Sequence, residues 1–152
     1  MNLTAEAKQE LTVSIEQEIH VNASLETTFN AILEEIGPGN IDMEGKSMNL
    51  KIEAWPGGRW YRDLGDNNGH NWGHVQAIKR PTLLEFSGPL MMSFAAANSV
   101  QWRLSEVDGG TLIKFHHYGF GNIPENFRTG LPKGWASMNE RVKKAAESAK
   151  KK

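Results

Sequence analysis

Residues 100–120 read VQWRLSEVDGGTLIKFHHYGF. Val100, Trp102 and Leu104 share one face of a period-two pattern, the signature of a strand buried on one side. Asp108-Gly109-Gly110 then supplies residue types that accept the positive φ of a tight hairpin. TLIKFHHYGF is the return strand, on which Ile113, Phe115 and His117 share parity and turn to the apolar side while His116 turns away. A hairpin of this kind commits the sheet to antiparallel pairing.

Upstream, the same period recurs. Val13, Ile15, Ile19 and Val21 alternate with polar residues in VSIEQEIHV, and Met48, Leu50, Ile52 and Ala54 do so further on. Pro56-Gly57-Gly58 turns the chain into RWYRDL, Asn67-Asn68-Gly69 reads as a hairpin turn, and two more strands follow in HNWGHVQAIKR and, past Pro81, LLEFSG. Between the first two strands, Phe29, Ile32, Leu33 and Ile36 fall at i, i+3, i+4 and i+7 behind the N-cap candidate Ser24, which predicts a short helix over 24–36. Downstream of Gly121 the chain reads as a loop through Pro124, Gly130, Pro132 and Gly134, and a long helix is expected over 133–149. Its inward stripe would be Trp135, Met138, Val142, Ala145 and Ala149. Strand, short helix, hairpin-linked strands and long helix add up to α+β: a curved antiparallel sheet of about six or seven strands with one helix laid across it.

Composition narrows the function classes. The chain has 152 residues, 39% hydrophobic and 23% charged, with mean hydropathy -0.51, the profile of one water-soluble domain. We expect that domain over 13–149, a short extension at 1–12 and a basic tail at 150–152. No stretch is long and apolar enough to span a bilayer, and the first residues lack the pattern of a signal peptide, so no membrane insertion and a cytoplasmic location are expected. The absence of cysteine excludes disulfides, thiolate metal sites and cysteine nucleophiles. From Arg128 onward eight basic residues face two acidic ones, but no aromatic interleaving accompanies them, so nucleic acid is not an expected partner.

Motifs for named chemistry are missing: there is no G-x-S-x-G, P-loop or H-E-x-x-H. His70 and His74 on a strand lie on one face but roughly 13 Å apart, too far to share an ion, and adjacent His116 and His117 point to opposite faces. No metal or other cofactor is expected. What remains is apolar bulk. Five tryptophans and six methionines are generous for this length. Trp60, Trp72, Phe86, Met92, Trp102 and Phe115 on the sheet, with Met138 and Val142 on the helix, are candidate linings of an adaptable ligand pocket, or else an ordinary core. Two polar groups join them as candidate ligand contacts. Arg62 shares parity with Trp60 and Leu64 and needs a partner if it turns inward; His117 lies among apolar neighbours, where it is either a ligand or proton-transfer group or a satisfied core histidine.

Five pieces in order carry a resemblance: V-x-A-S at 21–24 with its amphipathic helix, W-P-G-G-R-W at 55–60, W-G-H-V-Q-A-I-x-x-P-x-x-L-E-F-S-G-P at 72–89, G-G-T-L-I-K-F-H-H-x-G-F at 109–120 and G-W-A-x-M at 134–138. Together they resemble the START-like SRPBCC superfamily, and within it the branch named for the activator of the heat-shock chaperone ATPase. The resemblance implies a helix-grip fold with a cavity between sheet and C-terminal helix, in a superfamily that binds apolar molecules and includes some enzymes. It therefore implies binding of a small apolar or amphipathic ligand, with a cyclase- or hydrolase-type enzyme using the same cavity as the alternative. A co-chaperone ranks third, because the eukaryotic activator resembles this chain only in its C-terminal domain and carries another domain before it. A chaperone partner is thus not favoured, while homodimerisation stays open.

Overall fold

The computed structural model describes residues 4, 5, 11–91 and 93–150. Most of the expected extension at 1–12, and Lys151 and Lys152 of the basic tail, therefore lie outside the described residues. The elements run β1 (Thr12–Val21), α1 (Leu25–Ile36), β2 (Leu50–Ile52), β3 (Arg59–Gly65), β4 (Asn68–Lys79), β5 (Leu83–Gly88), β6 (Ala96–Val107), β7 (Gly110–Gly121) and α2 (Glu125–Lys150). Seven strands form one antiparallel sheet in the order β1-β7-β6-β5-β4-β3-β2, so the chain meanders from β2 to β7 and β1 closes the far edge. The expected α+β helix grip is the fold found. α2 packs on α1 and β1, and its apolar side meets the aromatic side chains of β6 and β7.

The β6–β7 hairpin sets the register of the interior. Asp108 at φ 49 and Gly109 at φ 78 occupy the left-handed region at both central positions, as a two-residue turn of the primed type requires. From there Trp102 pairs with Phe115 and Val100 with His117, which places those side chains on one face. A β-branched residue is strained at Gly109's φ, so Gly109→Val is expected to destabilise by more than ~1 kcal/mol. An unchanged melting curve would contradict the role of this turn.

Elsewhere the backbone departs from simple alternation. Trp60 pairs with Gly73 but Tyr61 with Asn71, so Trp72 is an extra residue in β4, and a second irregularity lies between Asp63 and Gly65. The β3–β4 turn sits at Asp66 and Asn67, both at positive φ, one residue ahead of the Asn-Asn-Gly signal. Two parity arguments fail for this reason. His70 pairs with Arg62 and His74 with Arg59, so the two histidines end on opposite faces, and Leu64 is exposed instead of facing inward with Trp60.

The C-terminal helix corrects the expected 133–149: it starts at Glu125 and passes through Gly130, Pro132 and Gly134. Apolar residues at 123, 127, 131 and 135 already keep helical spacing there, and Phe127 packs edge-on against Phe94 at 5.2 Å while Leu131 is buried. Packing thus holds a segment whose composition argues for a loop. α1 begins as expected, with the Ser24 side chain accepting from the Thr27 N–H at 3.1 Å. At its other end the Ile36 carbonyl, one of the last four left without an intrahelical donor, accepts from the Trp60 indole at 2.9 Å.

Candidate functional site between sheet and helix

The space between sheet and C-terminal helix is filled by rings. Trp60 meets Trp72 at 5.3 Å between centroids and Phe86 at 4.6 Å; Phe86 meets Trp102 at 6.3 Å; Trp102 meets Phe115 at 5.1 Å and Trp135 at 5.9 Å. Most of these pairs are edge-on or tilted, the arrangements favoured by the ring quadrupole. The path begins on β4, crosses the sheet and ends on α2.

The indole N–H groups of Trp60, Trp102 and Trp135 are each spent on a partner. Trp60 donates to Ile36, as above. Trp102 Nε1 donates to Asn139 Oδ1 at 3.0 Å, Asn139 Nδ2 donates to Gln17 Oε1 at 3.0 Å, and Gln17 Nε2 donates to the Pro132 carbonyl at 2.9 Å. Trp135 Nε1 donates to His117 Nδ1 at 3.0 Å. An indole can only donate, so Nδ1 is the unprotonated nitrogen, and the 2.7 Å contact from His117 Nε2 to Asn98 Oδ1 is the donated bond. Asn98 Nδ2 in turn reaches the Gly88 and Pro89 carbonyls. His117 is wholly buried, and burial first, then the neighbouring His116, push its pKa down to about 4. It is a neutral ring with both nitrogens engaged.

The structure brings together Trp60, Trp72, Phe86, Trp102, Phe115 and His117 on one face of the sheet, all buried, with Val142 buried on α2. Met138 is half-buried, its sulfur accepting from Asn40 Nδ2 and an Arg141 nitrogen at 3.7 Å each. Met92 lies outside the described residues. Arg62 stands apart from the ring path: it pairs in register with Leu50 and His70 toward the short edge of the sheet, and its Nε is buried without a hydrogen-bond partner. The expected helix stripe is rotated. Leu131, Trp135, Asn139, Val142 and Ala146 are the buried positions, Ala145 is half-buried and Ala149 exposed. Sequence reasoning missed Asn139, Asn98 and Gln17 as interior polar groups. Asn139 carried a signal, since it falls four residues after Trp135 and three before Val142 on an otherwise apolar stripe. Asn98 and Gln17 carried one too, since Asn98 is in phase with Val100, Trp102 and Leu104 and Gln17 with Ile15 and Ile19, polar residues at inward positions of alternating strands.

Open grooves of about 290 to 610 Å³ indent the surface, and none is lined by Trp60, Phe86, Trp102 or Trp135. No helix among the described residues is long and apolar enough to cross a membrane.

No protein-family model matches the chain, and no curated protein is significantly similar in sequence. Solved structures share the fold at low sequence identity. CalU16 from Micromonospora echinospora superposes with a TM-score of 0.60 at 20% identity, over 89% of this chain and 75% of its own. The di-domain ARO/CYC StfQ of the steffimycin biosynthetic pathway gives 0.63 at 12% identity, over 94% of this chain and 52% of its own. The Aha1 dimer from Colwellia psychrerythraea gives 0.63 at 17% identity, over 89% and 96%. The protein thus shares the helix-grip fold of these solved structures.

Proposed function

We propose that this protein binds a small, largely apolar molecule between its sheet and its C-terminal helix. The observation that carries the reading is the ring path from Trp72 through Trp60, Phe86 and Trp102 to Trp135, which concentrates adaptable aromatic surface where a helix grip encloses its interior. The rings and their neighbours occupy that volume themselves, so a ligand enters by parting α2 from the sheet, with Met138 and Met91 as compliant neighbours. His117 and Asn139 are the polar groups such a ligand would meet. The fold likeness to an ARO/CYC protein leaves catalysis as the second reading. The two hydrogen bonds that fix the His117 ring favour a positioning role for it over proton transfer.

Native mass spectrometry of freshly purified protein is expected to show a retained small molecule, and N-phenyl-1-naphthylamine is expected to brighten on binding while quenching tryptophan emission. A bare chain mass in every preparation, with no response from the probe, overturns the proposal. Ala146 is fully buried on the helix face opposite the rings, so Ala146→Leu should lower probe affinity, and at roughly 1–3 kcal/mol of overpacking it should also lower stability. Ala149→Leu, at an exposed position, should do neither.

A further inference from the structure

Among the described residues, edge strand β1 leaves part of its backbone unpaired beside a groove that the interior site does not explain. Leu11 accepts the Gly121 N–H across the register of β1 with β7, so odd-numbered residues of β1 bond to β7 and even-numbered ones turn their N–H and C=O outward. The outward groups near the C-terminal end are covered by α2: Lys143 Nζ donates to the His20 carbonyl at 2.6 Å, and Glu147 accepts the Asn22 N–H at 2.8 Å. At the other end Gln17 reaches the Pro132 carbonyl. Between these ties the strand edge and the helix stand apart across a groove of about 440 Å³, floored by Ile19 and walled by Ala136 and Glu140. The outward backbone groups of Ser14, Glu16 and Glu18 have no partner among the described residues.

We propose that this groove accepts an extended, basic segment of a partner protein as an eighth strand paired to β1. Along β1 the groove runs from Gln17 to His20, roughly 10 Å, and the open edge continues past Gln17 to Glu16 and Ser14, so a segment of about five residues pairs along Ser14–Glu18 with one end seated in the groove. Charge selects the occupant. Glu18 and Glu140 have neither an ion pair nor a hydrogen bond among the described residues, and Glu16 and Glu18 flank the free edge. A second copy paired antiparallel through its own β1 would set these carboxylates against one another, which is destabilising; lysine or arginine at alternate positions complements them. Side-chain direction sharpens the pattern. Residues bonding to Glu16 and Glu18 place their side chains beside those carboxylates, while the intervening residues face Ile19 and the helix.

The test uses the fluorescent peptide Lys-Val-Lys-Val-Lys-Val and the full chain. Binding by anisotropy is expected to weaken by about tenfold or more when the lysine amides are N-methylated and to change little when the valine amides are, because only the former bond to β1. Glu18→Pro, which removes an outward N–H and no ladder bond, should abolish binding, and Glu18→Lys should weaken it. Equal affinity of the two methylated peptides would mean charge adhesion alone and overturn the proposal. No binding of the parent peptide overturns it too, as does a protein dimer in sedimentation that Glu18→Pro dissolves, since a second copy would then hold the edge. The methylated series leaves the protein unaltered, so it decides the matter even if Glu18→Pro does not fold.

Discussion

Trp102→Ala is expected to cost about 3–5 kcal/mol of stability in urea unfolding, the range for deleting a large aromatic side chain from a packed interior. Trp102 is completely buried, touches Phe86, Phe115 and Trp135, and holds Asn139 through its indole N–H. The two parts of the loss can be separated. Trp102→Phe keeps most of the ring volume and removes the donor, leaving the buried Asn139 Oδ1 without the indole it accepts from, at about 1–3 kcal/mol. The alanine variant also leaves an apolar void shaped like the lost side chain. Free indole should enter it and raise Tm in a concentration-dependent way, since a ligand that binds only the native state stabilises it. A loss below about 1 kcal/mol for Trp102→Ala, or an indole response equal to that of the wild type, would show that the interior is not organised around this residue.

Periodicity foretold the sheet because a half-buried strand must alternate: β1 and β7 alternate around Val13, Ile15, Ile113 and Phe115, and β6 does so around Val100 and Trp102 apart from the buried Gln101 between them. The hairpin at Asp108-Gly109 was equally plain, as few residue types accept its φ values. The start of α2 was hidden for an opposite reason. Pro132 and two glycines lower helix propensity locally, yet Phe127 and Leu131 gain more by packing than the backbone loses, and only the fold supplies the surface they pack on. At the site, parity put Trp102 with Val100 and Leu104, and His117 with Ile113 and Phe115, on inward faces, where they are buried. It failed beyond the extra residue at Trp72, because one inserted residue flips every side chain after it. The hydrogen-bond partners were not readable at all: Trp102 to Asn139 and Trp135 to His117 join residues on different elements, and distance in sequence carries no information about that meeting.

The stability of the fold should fall in acid through His117. Its ring is neutral in the folded protein, and three features keep it so: complete burial, the adjacent His116, and the Trp135 N–H pointing at the nitrogen that a proton would occupy. With the folded pKa at about 4 and an ordinary histidine near 6.5 in the unfolded chain, both states are neutral above about pH 6.5 and the full stability is present there. Between about 6.5 and 4 the unfolded chain takes up a proton that the folded one refuses, so stability declines as pH falls, by up to ~3 kcal/mol in all, and levels off below 4. The groups facing His117 in the structure, Asn98 on β6 and Trp135 on α2, do not titrate in this range. His117→Gln offers an amide oxygen to Trp135 and an amide N–H to Asn98 without the titration. Urea midpoints of wild type and variant at pH 7.5, 5.5 and 4.5 should therefore converge or cross as pH falls, the variant losing about 2–3 kcal/mol less than the wild type. Other acidic groups titrate in both proteins and cancel in the difference. Parallel pH profiles for the two would mean that His117 carries its proton inside the fold, and that the Trp135–His117–Asn98 bonds do not hold the ring neutral.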